Sequence, residues 1–330
     1  MNRFHPALLT IALIAVAATA GAETVPLGPG ESIQAAIAAA DPGDTIELAA
    51  GTYDGDLDFL GKDVEVIGTG DDTVIRGTGS GPVVTFDSGE GPGAVIDSTR
   101  ITGGSAAAGG GILIRDSSPT VVRNAIVYNT AASSGSGIYV QGVAAAPLIA
   151  NNVIAYNSRN ASGDPHGIQS DASSPMIVNN TLAAGDSNAM FLTGGAPVVR
   201  NNVLSRNGAG TFGSGRGRGI CNFAPGAEIH YNVFYRNIRS ALLYQGRDFA
   251  RIREAQRFFG SPRLTRNRDR NPGFKRRRPR HPRAEFLLRD FELRDTSRIL
   301  NRGDRAPEFH NHDGTRNTPG FTGGPLAPLD

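Results

Sequence analysis

The chain has 330 residues, with 43 glycines, no tryptophan, two lysines (Lys62 and Lys275) and one cysteine, Cys221. Glycine is about twice its usual share, and a single thiol excludes an intrachain disulfide framework and a cysteine-rich zinc site. The net charge of +2 hides a split: residues 1–245 hold 13 basic and 20 acidic side chains, whereas residues 246–330 hold 20 and 11. The length fits two domains or one long repeat domain.

Arg3 and His5 precede an apolar run over 7–20, and Ala20-Gly21-Ala22 supplies a small-x-small cleavage pattern. This reads as a secretory signal peptide over 1–22, because the run is shorter than the ~20 apolar residues a membrane span needs. The mature chain is expected to start at Glu23 in the periplasm, at the cell surface or outside the cell, with no membrane span. Next, Ile33, Ala36, Ile37 and Ala40 mark one apolar helical face, with Ser32 as its N-cap. Asp54, Asp56 and Asp58 alternate and could share a strand face, and Asp71-Asp72 follows a turn. Gly103-Gly104 and Gly109-Gly110-Gly111 read as corners, since neither a helix signal nor a Lys follows to make a phosphate cradle. Segments 96–104 and 109–114 form an imperfect first repeat.

Five segments then superpose without gaps: 119–129, 147–157, 175–185, 197–207 and 227–237. Each opens on an apolar residue (Val121, Ile149, Ile177, Val199, Ile229), followed three positions on by Asn124, Asn152, Asn180, Asn202 or Asn232. A second apolar column comes next (Ile126, Ile154, Leu182, Leu204, Phe234), and a third follows a variable loop (Ile138, Ile168, Met190, Ile220, Leu242). Three short strands per repeat cannot bury a core alone. Stacked at roughly 4.8 Å, they make three parallel sheets around an apolar interior. An inward Asn can bond its equivalent in the next coil and tolerates a left-handed corner.

If the third apolar column points inward, the outward positions are Tyr139, Gln169, Phe191, Cys221 and Leu243, and two residues further on Gln141, Asp171, Thr193, Phe223 and Gln245. Rings mixed with amides and hydroxyls suit a sugar chain, so Tyr139, Gln141, Gln169, Asp171, Phe191 and Thr193 are candidate substrate-binding residues. Outward aromatics could equally pack under the C-terminal segment. Cys221, between Ile220 and Asn222, reads as a packed thiol.

These columns resemble those of the right-handed parallel β-helix family with the pectin-lyase-like fold. Ser32-Ile33-Gln34-Ala35-Ala36-Ile37, Pro42-Gly43-Asp44-Thr45-Ile46 and Gly51-Thr52-Tyr53 are similar to the opening of many such proteins. The resemblance implies an all-β, right-handed parallel β-helix, a three-sheet solenoid with an N-terminal helical cap over 23–246 and an irregular, basic C-terminal capping region over 247–330. From Gly246 the Asn columns are expected to stop. A helix is expected within 249–259, and the later motifs are similar to the C-terminal part of secreted β-helix proteins with an anchor-type domain. Within it, 263–283 carries ten basic side chains and one acid, Asp269, either a patch for an anionic polymer or a solvated loop. Phe274 is its one aromatic within the basic run, which speaks against nucleic acid.

Asp164-Pro165-His166 resembles part of the Asp-Pro-His motif of mannuronan C5-epimerases, which implies Asp164 and His166 as candidate catalytic residues; Asp-Pro also suits a turn. The flanks depart from that motif, with Ser162-Gly163 before it and Gly167 after it. Two readings follow. One is a secreted, monomeric protein that binds anionic polysaccharide without catalysis, metal or cofactor. The other is a lyase or C5-epimerase working in an outer groove, for which Ca2+ would be the expected ion.

Overall fold

The computed structural model describes residues 21–159, 163, 166–208, 217–260, 264–275 and 288–327. Residues 1–20 of the expected signal peptide, Asp164, and residues 263 and 276–283 of the basic run therefore lie outside the described residues.

Three long sheets form the body. The first face runs in ten strands from Thr24–Leu27 through Thr120–Val122, Leu148–Ala150, Met176–Val178 and Val198–Arg200 to Leu264–Thr265. The second runs in nine from Gly51–Asp54 through Ala125–Val127 and Thr181–Ala183 to Arg268–Asp269. The third runs from Leu57–Asp58 through Ile138–Gln141, Ile168–Asp171, Met190–Thr193 and Arg218–Cys221 to Ser240–Tyr244, and ends on the antiparallel return strand Arg247–Phe249. A small fourth sheet pairs Ser105–Ala108, Thr130–Ser134 and Ser158–Arg159. This is the expected three-sheet β-solenoid.

The register matches the sequence columns. Val121, Ile149, Ile177, Val199 and Ile229 are direct partners from coil to coil, as are Ile126 to Phe234 and Ile138 to Leu242 in their columns. All are buried in one continuous core. Each such side chain contributes about 1.5–3 kcal/mol.

The Asn column is a hydrogen-bonded ladder. Asn152 Oδ1 accepts from the backbone N–H of Asn124 at 2.9 Å and its Nδ2 at 3.2 Å, while Asn124 Nδ2 also donates to the Ile96 carbonyl. The pattern repeats through Asn180, Asn202 and Asn232. Two corrections follow. The ladder does not stop at Gly246: Asn232 donates to Asn267 Oδ1 at 2.9 Å, and the Asn267 N–H ends the series on Gln256 Oε1. Nor is the ladder Asn the left-handed residue. That conformation belongs to its predecessor, whether Arg123, Asn151, Asn179, Asn201, Tyr231 or Arg266, at φ of 54° to 58°. The Asn is used for its amide; its neighbour absorbs the strain.

At the first coil, α1 (Ile33–Ala39) is capped by Ser32 and buries Ile33 and Ile37, as expected from the sequence. Its C-terminal carbonyls receive Lys62 Nζ, which donates to Ile37, Ala38 and Ala40. At the other end, α2 (Ile252–Phe259) buries Ile252 and Ala255 against the core. Residues 288–327 run back along the second face. Asn151 Nδ2 donates to the Phe321 and Gly323 carbonyls, Asn179 Nδ2 to that of Thr318, and Leu288 N–H reaches Asp71. Beneath them a second apolar cluster gathers Val127, Val153, Val203 and Val233 with Phe291, Ile299 and Phe321.

Candidate functional site

On the third face, Tyr139, Gln169 and Phe191 are direct partners across three coils, as are Gln141, Asp171 and Thr193. The outward assignment therefore holds, and the structure adds a centre that the sequence did not mark. Asp171 Oδ2 accepts from Tyr139 Oη at 2.9 Å and Gln169 Nε2 at 2.9 Å, and its Oδ1 accepts from Thr193 Oγ1 at 2.5 Å. Three neutral donors hold one carboxylate. Gln141 stays exposed at the edge of this group.

Tyr139 points outward yet is only 8 % exposed. The chain leading from Thr130–Ser134 passes close over it: at Gly135 (φ 48°) a Cβ would lie 2.3 Å from the Ile138 carbonyl oxygen and 2.8 Å from Tyr139 Cβ. Glycine is required there both for the backbone and for the approach. Burial, the hydrogen bond to Asp171 and that carboxylate's charge push the Tyr139 hydroxyl up to about 12.

His166 lies next to this group, 5 % exposed, its ring stacked on Phe191 with centroids 4.7 Å apart. Nδ1 meets Ser187 Oγ at 3.3 Å and Asn188 Nδ2 at 3.2 Å. Asn188 Oδ1 accepts the Arg218 backbone N–H at 2.9 Å, so its amide presents N–H to the imidazole. Nδ1 is thereby an acceptor and the ring proton sits on Nε2. His166 is thus an almost fully buried ring, stacked on Phe191 and bonded at Nδ1 at the edge of the Asp171 group. Its expected partner Asp164 is outside the described residues.

One coil further on, Arg218, only 6 % exposed, donates to both oxygens of Asp248 at 2.6 and 3.1 Å; Arg239 and Ser240 add bonds at 2.9 Å. The Arg218 hydrogen bond is the main reason the Asp248 carboxyl falls to about 2, outweighing burial. This group was missed because Asp248 sits on the antiparallel return strand, outside every repeat column; Arg218 opens the strand whose inward residue is Ile220. Cys221 is buried, as the sequence suggested.

The alternating acids do not form one site. Asp54 lies on the second face paired to Arg76, Asp56 binds the N–H and hydroxyl of Thr78, and Asp58 lies on the third face accepting from Leu60 N–H. Among the described residues no group of three His, Cys, Asp or Glu side chains is placed to hold a metal ion. With the Asp171 oxygens already accepting three bonds, this donor set does not fit Ca2+. Gly103 and Gly109 are corners with φ of 81° and 67°. No helix among the described residues is long and apolar enough to cross a membrane.

Among solved structures, the chain is similar to an alginate lyase from Paenibacillus sp. str. FPU-7 (19% identity, TM-score 0.48, covering 67% of this chain and 80% of that one). It is also similar to the pectate lyase Pel9A (17% identity, TM-score 0.48, covering 68% of each). No curated protein matches. A family model described as right handed beta helix region matches residues 69–254. That stretch is more than half of the chain and contains all five repeats, the Asn ladder through Asn232 and the Asp171 group, so the protein belongs to the right-handed β-helix family.

Proposed function

We propose that the protein is an exported, monomeric, non-catalytic module that binds an anionic polysaccharide along its third face. One observation carries the reading: a fixed carboxylate with three neutral donors, Asp171, stands beside a partly exposed ring, Phe191, with Gln141 exposed next to them. Sugars offer hydroxyls to such oxygens and C–H faces to such rings. Coils at ~4.8 Å repeat these groups along one line. The basic residues of 246–330 favour acidic over neutral polymers by raising their local concentration. His166 supports Phe191 from behind in this reading.

The test is affinity for polygalacturonate against a neutral polymer. Phe191→Ala with Gln141→Ala should weaken binding at least tenfold at every salt concentration, whereas the basic contribution should fade beyond ~8 Å of screening at physiological salt. His166→Asn should leave no activity lost. Appearance of unsaturated, ultraviolet-absorbing sugar ends with the wild type, abolished in His166→Asn or Asp164→Asn, would replace this reading with the lyase one. Epimerisation lost in the same variants would do so equally.

A further inference from the structure

Where the C-terminal segment crosses the last coil, a cavity of about 300 Å³ is lined by Arg270, Asn271, Arg294, Thr296, Ser297 and Arg298. No carboxylate is among the described residues lining it. Three arginines thus line it together with two hydroxyl-bearing residues and one amide residue. Arg294 Nε reaches the Gly273 carbonyl at 3.3 Å, and Ser297 Oγ donates to Pro272 O while accepting the Ile299 N–H at 3.3 Å. More positive charge lies behind: Arg268 carries a buried Nε without a hydrogen-bond partner, and Arg316 is tied to the carbonyls of Gly303 and Arg302.

We propose that this cavity binds the carboxylate of a uronic acid unit, as an anion subsite separate from the third face. The polysaccharide reading above contributes only the choice of sugar; the cavity stands on its own geometry. A planar fork of N–H donors matches a carboxylate in two parallel bonds, which a single ammonium cannot do. The hydroxyls and amide are suited to the sugar's own hydroxyls. A volume of about 300 Å³ is at the lower end for small-molecule sites and exceeds what a bare inorganic anion fills. The positive charges crowd one another: burial first, then the charges of Arg302, Arg270 and Arg305, hold Arg268 below its ordinary ionisation range, and burial and Arg305 do the same to Arg316. A bound anion removes that repulsion.

Calorimetry on the full chain with trigalacturonate tests this, in a Phe191→Ala/Gln141→Ala background that disables the third face. Adding Arg270→Gln and Arg298→Gln, both at exposed positions, should cut the remaining affinity at least tenfold, with unchanged circular dichroism. Undiminished binding in the fourfold variant overturns the subsite, and so does the absence of any binding in the Phe191/Gln141 background. Equal binding of a neutral trisaccharide, or displacement of trigalacturonate by an equal concentration of sulfate, overturns the uronate assignment. Failure of the third-face reading alone looks different: the Phe191/Gln141 change then leaves wild-type affinity intact while the arginine changes still abolish it.

Discussion

Tyr139 and Asp248 titrate far from their ordinary ranges in opposite directions, one contributing to the alkaline limb of the stability profile and the other to the acid limb. The buried Tyr139 hydroxyl ionises near 12 when folded and near 10 when unfolded. Its contribution is fully present below about pH 10 and is lost as pH rises towards 12. Burial also raises Tyr53 and Tyr128, so the check is the difference between variants: in alkaline difference spectroscopy, Asp171→Asn should move the latest-titrating tyrosine to lower pH. Asp248 behaves inversely. Its folded carboxyl ionises near 2, so below about pH 4 the unfolded state takes up the proton first and stability falls until pH 2. At face value the shift is worth roughly 2 kcal/mol, which solvent screening at this exposed residue reduces to about 1 kcal/mol. Arg218→Met should flatten that acid-limb slope in urea titrations at pH 2–4, leaving the part that Ser240 and Arg239 supply; an unchanged slope assigns the acid sensitivity elsewhere. It should also destabilise at neutral pH, because it deprives the Asp248 carboxylate of both its Arg218 bonds.

At the scale of the ladder, the informative comparison is between adjacent residues. Asn180→Leu strips the acceptor from Asn152 N–H and Nδ2 and the donor from the Ile149 and Val178 carbonyls, all buried. An unsatisfied buried group costs about 1–3 kcal/mol, so a loss of roughly 3 kcal/mol or more is expected in equilibrium denaturation. Thr181, next in sequence, points away from the coil interior but is 1 % exposed, because its hydroxyl accepts the Phe321 N–H under the C-terminal segment. The expectation from strand alternation alone is that Thr181→Ser costs under ~0.5 kcal/mol, as on a free surface. With the hydroxyl kept and one buried methyl removed, the structure raises it to about 0.8 kcal/mol. Equal losses at 180 and 181 would mean that the ladder amides contribute nothing special.

For the whole molecule, the question is what closes the solenoid's open surfaces. Stacked coils expose their sheets' outer sides, and on the second face these carry Val127, Val153, Val203 and Val233 rather than polar residues. Phe291 packs edge-on against Tyr156 and Phe274 with centroids 6.0 and 5.8 Å apart, locking residues 288–327 over them. Phe291→Ala should therefore cost about 3–5 kcal/mol, as for a core aromatic, although the residue lies outside the repeats. A chain ending at Lys275 should bind an apolar dye and aggregate, since that many exposed valines exceed what a soluble surface carries. A monomeric, dye-silent truncation would show that the second face is self-sufficient.

The sequence by itself determined the coil. Val121 and Ile126 and their equivalents keep one spacing within every repeat, and Ile138 and its equivalents follow after a variable loop, because a parallel stack places like residue on like residue, so the repeat is written locally. The first Asn column was legible for the same reason. A second ladder, Asn129 to Asn157 and Asn207 to Asn237, stood at the ends of the same aligned segments and went unread because Gly185 interrupts it. Tertiary structure alone decided what covers each face. Tyr139 and Thr181 are both outward by alternation, yet one is buried under the Gly135 crossing and the other under Phe321. The same holds for Asp171, which gathers donors from three coils, and for Asp248, which meets Arg218 from a returning strand. Alternation fixes the side of a sheet on which a residue stands, whereas the Tyr139–Asp171 bond, the Arg218–Asp248 pair and the cover over Thr181 come from segments 30 to 140 residues away, which no local period encodes.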